Sequence, residues 1–194
     1  RYPSDRSQYN TAALYSNFRF DFSPKTTFSL GGRFTTTHLK ANWKETALID
    51  STLNRVNVKN NALTGSFSVS YRPKNPWRLN LLFSSGFRSP NVDDLGKIRE
   101  NKGLLLVPNP RLKPEYVYNI DGGIAYSPAG KNSYFNLRFY HTSLRDYIGR
   151  MAYEVATDQT TLAPGTVAFN NDIVTTQANT NIGNGRIYGF SFEG

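Results

Sequence analysis

The sequence has no cysteine, which excludes disulfides, thiolate metal sites and cysteine nucleophiles. Histidine occurs only twice among 194 residues, and no histidine spacing typical of a metal site is present. No apolar run approaches the ~18 residues that a transmembrane helix requires, and the mean hydropathy is −0.51. These absences leave a transmembrane β-barrel open, because barrel strands carry only alternating hydrophobicity.

Acidic residues are the minority among the charged ones. There are 14 Asp and Glu against 23 Lys and Arg, which gives a net charge of +9. Such an excess suggests an anionic partner: nucleic acid, phosphate-bearing lipid or an acidic ligand. The basic residues are spread over predicted strands and loops without a single basic stripe, which argues against nucleic acid.

Motifs of enzymatic chemistry are also missing. The sequence has neither a Gly-x-Ser-x-Gly motif nor a glycine-rich phosphate-binding loop. Asp93 and Asp94 are adjacent acids, whose side chains would not face one another in a strand. We therefore expect no enzymatic activity, no metal site and no cofactor.

What the sequence has in abundance favours β-structure. Aromatic residues make up 14% of the chain, with 13 Phe and 12 Tyr, and Gly, Ser, Thr and Asn fill much of the remainder. Apolar and polar residues alternate with period two in seven segments, with Leu82 as a departure. The apolar faces of these predicted strands run through 14–22, 28–34, 63–71, 79–87, 118–126, 135–139 and 188–192.

The connections between these segments alternate in length. Short ones are predicted at 23–25, 73–76 and 128–132, and long ones at about 41–56, 89–114 and 148–180. The predicted strands, of roughly 11 to 16 residues, exceed the usual length in soluble sheets. Outer-membrane barrels have such strands, with short periplasmic turns and long extracellular loops. Trp77, Tyr71 and Tyr126 lie near the short turns, where a barrel has an aromatic girdle. The alternative is a soluble β-sandwich.

Seven strands do not close a bacterial barrel, whose strand number is even. An open sheet would leave two unpaired edges in lipid. We therefore expect the chain to be part of a longer polypeptide or one chain of a multimeric barrel.

Two short motifs, which we call the first and second box, flank the second long connection. The first is Phe87-Arg-Ser-Pro90, and the second, Asn109-Pro-Arg-Leu-Lys-Pro-Glu115, begins 22 residues after it. With them the chain resembles TonB-dependent outer-membrane receptors of the heme and siderophore branch, which carry Phe-Arg-Ala-Pro and Asn-Pro-Asn-Leu or Asn-Pro-Asp-Leu. Ser89 replaces Ala, and Arg111 replaces Asn or Asp. Gly185–Glu193 also resembles a recurrent strand of these barrels.

The resemblance implies an all-β fold: an antiparallel transmembrane β-barrel segment, about seven strands of a 22-stranded barrel. Residues 1–194 would be part of the barrel domain, with a plug domain upstream that connects to TonB. The implied function is TonB-energised uptake of a scarce nutrient across the outer membrane, with an iron complex (ferric siderophore or heme) as the expected ligand. Membrane lipid and lipopolysaccharide would be further partners. A passive porin-like channel and a soluble β-sandwich binding module are the alternatives.

Candidate site residues follow from charge and from the two boxes. A basic, aromatic loop surface would attract an anionic small-molecule ligand, and the residues proposed for it are Arg88, Lys97, Arg99, Lys102, Arg111 and Trp43. The boxes comprise Phe87, Arg88, Ser89, Pro90, Asn109, Pro110, Arg111, Leu112, Lys113, Pro114 and Glu115. A structural role for the boxes is also expected: Pro90 ends a strand, and Glu115 faces inward to pair with Arg88 or Arg111.

Many heme receptors of this family place an axial histidine between the two boxes, but residues 91–108 contain none. His38 and His141 share strand phase with Phe34 and Phe139, so both are expected to face outward. Heme ligation through this chain is therefore disfavoured. The polar residues expected to face the lumen and a plug are Arg19, Arg33, Arg78, Asp121 and Arg138.

Overall fold

The computed structural model describes residues 6–42, 55–96, 98–130, 133–154, 164–169 and 172–194. These residues form twelve strands and one short helix. That helix is not long and apolar enough to span a membrane. Seven strands form the main sheet: β1 (Ser7–Ser23), β2 (Thr26–Asn42), β3 (Arg55–Tyr71), β4 (Trp77–Arg88), β7 (Glu115–Tyr126), β8 (Phe135–Arg145) and β12 (Gly185–Glu193).

The main sheet is antiparallel throughout, in the order β1-β2-β3-β4-β7-β8-β12. This confirms the seven predicted strands and their antiparallel arrangement. β1, β2 and β3 have 17 residues each and β12 has nine, so the predicted range of 11 to 16 was too narrow. We call the end of the sheet at Asn42, Arg88 and Arg145 the loop end, and the opposite end the turn end.

The two faces of the main sheet differ in chemistry. The outer face contains the large apolar side chains predicted by the alternation, and many of them are exposed: Leu14, Phe18, Phe20, Phe22, Leu30, Phe34, Leu63, Phe67, Leu79, Leu81, Phe83, Ile120, Ile124, Phe139, Phe190 and Phe192. The inner face is largely polar toward the turn end. An apolar outer face and a polar inner face are the arrangement of a transmembrane barrel wall.

Aromatic pairs mark both ends of the outer apolar band. The rings of Trp77 and Tyr126 lie 4.8 Å apart at the turn end, and those of Phe87 and Tyr116 lie 6.3 Å apart near the loop end. Ten residues separate Trp77 from Phe87, or ~33 Å along a strand. At the usual tilt of 35–45° this gives a height of ~25 Å, the thickness of an outer-membrane apolar band.

Near the loop end the inner face becomes apolar. Leu39 and Ala41 of β2 and Val56 of β3 are almost completely buried there, in strand phase with polar residues closer to the turn end. They form a core with residues from the long connections, namely Leu95, Leu112 and Ile148. The second and third long connections are thus held on the inner side of the wall by ordinary hydrophobic burial.

The long connections contain a second sheet and the helix. Their elements are α1 (Val92–Gly96), β5 (Arg99–Asn101), β6 (Leu104–Leu106), β9 (Ile148–Ala152), β10 (Thr166–Phe169) and β11 (Asp172–Asn181). β11 is central, pairing with β6 in parallel and with β9 and β10 antiparallel. One side of this loop sheet forms its own core around Leu105, Val174 and Ala178.

β4 separates from β3 before either strand ends. Their ladder runs from Tyr71 and Leu79 to Ser66 and Ser84. The next residue of β4, Ser85, accepts a hydrogen bond from the amide of Gly65 (2.9 Å) and donates one to its carbonyl (3.3 Å). Nearer the loop end, Ser89 of the first box accepts a hydrogen bond from Asn60 of β3.

Candidate functional site

Arg88 of the first box connects two strands and the helix. Its Nε lies 2.6 Å from Glu115 Oε2, across the β4–β7 ladder in which the two residues are partners. Its Nη1 lies 2.7 Å from Asp94 Oδ2 in α1. The Asp94 and Glu115 side chains are only 15% and 14% exposed, so one guanidinium compensates two carboxylates that are largely shielded from water. The predicted Arg88–Glu115 pair is confirmed.

Helix α1 begins with a reciprocal cap. Asn91 Oδ1 accepts a hydrogen bond from the amide of Asp94 (2.9 Å), and Asp94 Oδ2 accepts one from the amide of Asn91 (3.0 Å). This is the geometry of a capping box, with Asn and Asp in the roles usually taken by Ser and Glu. The cap directs Leu95 into the core on the inner face.

Glu115 holds a second loop as well. Its Oε1 accepts a hydrogen bond from the amide of Ile148, at the start of β9, over 2.6 Å. Burial alone would raise the pKa of Glu115, but the hydrogen bonds from Arg88 and Ile148 and the charge of Arg88 outweigh it, so the pKa lies below its ordinary 4.5. The bond with Glu115 is the main reason that the pKa of Arg88 is raised. Both residues lie one position beyond the Phe87–Tyr116 pair, outside the apolar band.

The second box is anchored by Asn109, which is 5% exposed. Its Nδ2 donates to the carbonyl of Asn179 in β11 (2.8 Å), and its Oδ1 accepts from the amide of Arg111 (3.0 Å). The second interaction is a local turn in which an asparagine side chain substitutes for backbone. Tyr153 Oη, 3.4 Å from Asn109 Oδ1, completes the environment.

Two asparagines of β11 hold the two long connections together. Asn181 bonds both backbone groups of Lys113 (2.9 and 3.0 Å) and also donates to the carbonyl of Asp146 (2.7 Å). Asn179 Nδ2 donates to the carbonyl of Asp94 (3.0 Å). We call the whole arrangement the rim network: Arg88, Asp94, Asn109, Glu115, Asn179 and Asn181.

The contacts of Ser89 explain why the first box of this chain has serine where the family has alanine. Its hydroxyl lies 2.9 Å from Thr37 Oγ1 and accepts a hydrogen bond from Asn60 Nδ2 at 3.0 Å. Thr37 is buried on the inner face. An alanine would leave both wall residues without this partner, so Ser89 matches the polar side chains of β2 and β3 in this chain.

The residues predicted to bind a ligand are in different situations. Arg88 is occupied by two carboxylates. Arg99 and Lys102 are exposed on the β5–β6 hairpin, where Lys102 and Gly103 have φ of 52° and 78° and form its two-residue turn. Arg111 is exposed before Leu112, which enters the core. Trp43 and Lys97 lie outside the described residues. The prediction that these six residues bind ligand stays a prediction.

Both histidines face outward, as predicted. His38 Nε2 lies 2.7 Å from Asn57 Oδ1 on the outer face of β3. The ring of His141 stacks on that of Tyr188 with centroids 6.5 Å apart. No group of three or more His, Asp or Glu side chains within the described ranges is placed to hold a metal ion.

The inner wall near the turn end is polar and concave. Arg138 pairs with Asp121 over 2.8 Å, and both line a concavity of about 620 Å³ with Arg78 and Asn80. Arg19 lines a second concavity, of about 540 Å³, at the first turn, and Arg33 lines a third, of about 250 Å³, higher on the wall. The five residues predicted to face the lumen therefore lie on the inner face.

A family model described as "TonB dependent receptor-like, beta-barrel" matches residues 1–194. The chain belongs to this family. No match was found in a sequence comparison with curated proteins. The identification by the two boxes is confirmed, as is the barrel fold, and the soluble β-sandwich alternative does not hold.

Solved structures of TonB-dependent receptors share the fold. A double mutant of the Serratia marcescens hemophore receptor HasR, in complex with its hemophore HasA and heme, has a TM-score of 0.72 and 16% identity, covering 95% of this chain and 31% of that chain. The copper transporter OprC has a TM-score of 0.68 and 14% identity, covering 96% of this chain and 27% of that chain. The siderophore receptor PirA from Acinetobacter baumannii has a TM-score of 0.57 and 14% identity, covering 96% of this chain and 34% of that chain. The chain thus spans about a third of the length of these structures.

Sequence reasoning missed several members of the rim network. Asp94 was treated only as one of two adjacent loop acids, although the Asn91-x-x-Asp94 spacing is a helix-capping signal. Asn179 and Asn181 alternate with Ala178 and Thr180, which is a strand pattern, but nothing local indicates that their side chains reach the second box. The family is one of transport receptors.

Proposed function

We propose that this chain forms part of the wall and vestibule of an outer-membrane receptor that imports an iron complex, with a ferric siderophore as its first candidate and heme as the second. Energy would come from TonB through a plug domain that packs on the inner face. The observation that carries the proposal is the rim network, which joins the second and third long connections on the inner side of a TonB-dependent receptor barrel wall.

The exposed charges of the loops indicate the class of ligand. Arg99, Lys102 and Arg111 are exposed and have no ion-pair partner within the described part of the chain. Arg99 and Lys102 belong to one hairpin, and Arg111 follows the Asn109 turn. Cations without compensating acids are suited to an anionic ligand, and a guanidinium suits the carboxylates or phenolates of an iron chelator.

Heme is placed second because of its coordination needs. The two histidines of the sequence both face the outer side of the wall, away from any ligand in the lumen. A heme bound here would take its axial ligands from elsewhere in the receptor. Ferric siderophores bring a complete set of iron ligands and require only charge and shape from the protein.

The first test is equilibrium binding to the full-length receptor in detergent. Ferric catecholate and ferric hydroxamate complexes are titrated by quenching of protein fluorescence, and hemin by its Soret band. We expect saturable binding of a ferric siderophore at micromolar or tighter affinity. A saturable Soret shift without siderophore binding would reverse the order of the two candidates. Binding of none of these complexes would contradict an iron receptor.

Energy dependence separates active uptake from a passive channel. Cells that express the full-length receptor are supplied with the radioactive iron complex that binds, with and without a proton-motive-force uncoupler. We expect accumulation above the external concentration only in energised cells. Uptake that is unaffected by the uncoupler and follows the external concentration would support the porin-like alternative.

A further inference from the structure

Two places in the sequence allow a side chain to close a ring onto the backbone. They are Asp121-Gly122 and Asn184-Gly185, the one Asp-Gly and the one Asn-Gly pair of the chain. In each pair the backbone nitrogen of the glycine can attack the side-chain carbonyl carbon of the residue before it, because glycine has no Cβ to obstruct the approach. The two pairs are alike in sequence, but the structure places them in opposite environments.

The Asp121-Gly122 pair is fixed in the main sheet. Asp121 has a strand partner on each side, Leu82 of β4 and Tyr140 of β8. Its carboxylate lies 2.8 Å from Arg138 Nη2, and its side chain is only 16% exposed. Ring closure would require this segment to leave both ladders, which costs the free energy of opening the sheet. We therefore expect no reaction at Asp121 in the folded chain.

The Asn184-Gly185 pair lies at the exposed junction of β11 and β12. Asn184 belongs to neither strand and is exposed, and its side chain makes no hydrogen bond within the described part of the chain. Gly183, the residue before it, has a φ of 128°, which glycine adopts without strain. With a glycine on each side, the backbone of Asn184 can reach the geometry of attack while β11 and β12 stay paired.

Two arginines lie near Asn184. Arg186 is two residues further on, and by strand alternation it points to the same side as Asn184. Gly185 pairs with Leu144, so the same register continued by one residue places Asn184 opposite Arg145. Both arginines are exposed, and neither has an ion-pair partner among the described residues. Such cations stabilise the negative charge that develops on the glycine nitrogen and on the side-chain oxygen during the attack.

We infer that Asn184 deamidates spontaneously through a cyclic imide. The nitrogen of Gly185, after losing its proton to hydroxide, forms a bond to Asn184 Cγ, and the side-chain nitrogen leaves as ammonia with a proton from water. A water molecule then opens the imide at one of its two carbonyl carbons, which gives aspartate or isoaspartate. The net reaction consumes one water and releases one ammonia, and nothing is oxidised or reduced.

The product changes the rim in two ways. Its carboxylate lies near Arg145 and Arg186 and compensates cations that have no acid partner among the described residues of the unmodified chain. In isoaspartate the main chain also passes through Cβ, so the link between the loop sheet and the main sheet becomes one atom longer. The inference does not depend on the iron ligand of the proposed function.

The test compares the folded with the unfolded full-length receptor. Wild type in nonionic detergent and wild type in urea are incubated at neutral pH in heavy-oxygen water, so that only groups which react during the incubation take up the label. Peptide mass spectrometry locates the label, and electron-transfer fragmentation separates isoaspartate from aspartate. We expect Asn184 to react in the folded receptor within about threefold of its rate in the unfolded chain. Asp121 should react only in the unfolded chain.

Gly185→Ala tests the open approach to the side chain. It should slow the reaction at Asn184 on the order of tenfold, because a Cβ then obstructs the attack. The added Cβ would lie 3.3 Å from Leu144 Cδ1, the end of a flexible side chain that can move aside.

Arg145→Gln/Arg186→Gln tests the contribution of the cations. It should slow the reaction about tenfold, or about threefold for each unit charge at ~6 Å in water. The matched control, Lys25→Gln/Arg72→Gln, removes the same charge near the turn end and should leave the rate unchanged.

Three results would overturn the inference: an unlabelled Asn184 in the folded receptor, label at Asp121 in the folded receptor at the rate of Asn184, or a wild-type rate in Gly185→Ala. A wild-type rate in Arg145→Gln/Arg186→Gln would overturn the contribution of the cations. If a variant does not fold, the comparison of folded with unfolded wild type decides, because it needs no substitution.

Discussion

Arg88 joins β4, β7 and α1 through one guanidinium, so its removal affects three elements. We expect Arg88→Gln to lower the local free energy of unfolding at the rim by about 1–2 kcal/mol, because the largely shielded carboxylates of Asp94 and Glu115 lose their cation. The arginine is itself 46% exposed, which keeps the loss below that of a fully buried pair. Hydrogen exchange of the β4 and β7 amides near the rim, in the full-length receptor, measures it.

Arg99→Gln is the matched control for this prediction. Arg99 is exposed, and the described residues include no ion-pair partner for it. The substitution should change the same free energy by less than about 0.5 kcal/mol. Equal effects of the two substitutions would mean that general loop charge, and not the rim network, stabilises this region.

Glu115 makes the rim sensitive to acid. Its pKa in the folded chain is below the ordinary 4.5, so its contribution to stability is complete above that value and is lost as the pH falls toward the lower folded value. We expect protection of the Ile148 amide, corrected for the intrinsic exchange rate, to decrease below about pH 4.5. Glu115→Gln should reduce protection at neutral pH and remove the acid step. Constant protection of wild type down to about pH 3 would refute the assignment.

At the scale of elements, β11 connects the two long connections of the vestibule. Asn181→Ala removes three hydrogen bonds to the backbone of Lys113 and Asp146. Because these two residues belong to different connections, we expect faster hydrogen exchange in both segments, 107–114 and 146–152, with a loss of about 1–3 kcal/mol.

Gln177→Ala provides the control on the same strand. The backbone carbonyl of Gln177 bonds Val107, and this bond survives the substitution. We expect little change in either segment. Faster exchange confined to one segment in Asn181→Ala would show that the two connections are held independently.

The sequence predicted the seven wall strands and their faces because each wall residue has one of two environments. Period-two alternation of apolar and polar residues indicates directly which face each residue occupies: Phe83 faces outward and its neighbour Ser84 faces inward. The loop sheet could not be predicted in the same way. β6 has three residues and pairs with β11 some 70 positions away, so its local sequence contains no trace of the partner. The pair of Arg88 with Glu115 was predictable because the first box ends β4 and the second box leads into the adjacent strand β7, whereas the contact with Asp94 required knowledge of α1.

At the scale of the whole molecule, the solvent around the outer face decides whether its apolar surface is favourable. Phe28, Phe67 and Phe83 form a continuous apolar surface on adjacent strands, and most of the exposed large hydrophobic side chains of the described residues lie on this outer face. In water such an area would drive association. In a bilayer it is the surface that lipid requires, and therefore the same residues that would be a liability in a soluble protein stabilise this one.

A charge placed in the middle of the band tests this view. Phe83 lies close to midway between Trp77 and Phe87 on the outer face, and its neighbour Ser84 faces inward. We expect Phe83→Lys to destabilise the full-length receptor in lipid vesicles by about 2–4 kcal/mol, the cost of a lysine at the bilayer midplane. Ser84→Lys adds the same charge on the other face and should cost less than about 1 kcal/mol. Urea unfolding in vesicles, followed by tryptophan fluorescence, measures both. If Ser84→Lys were the more damaging of the two, the outer and inner faces of the main sheet would be reversed.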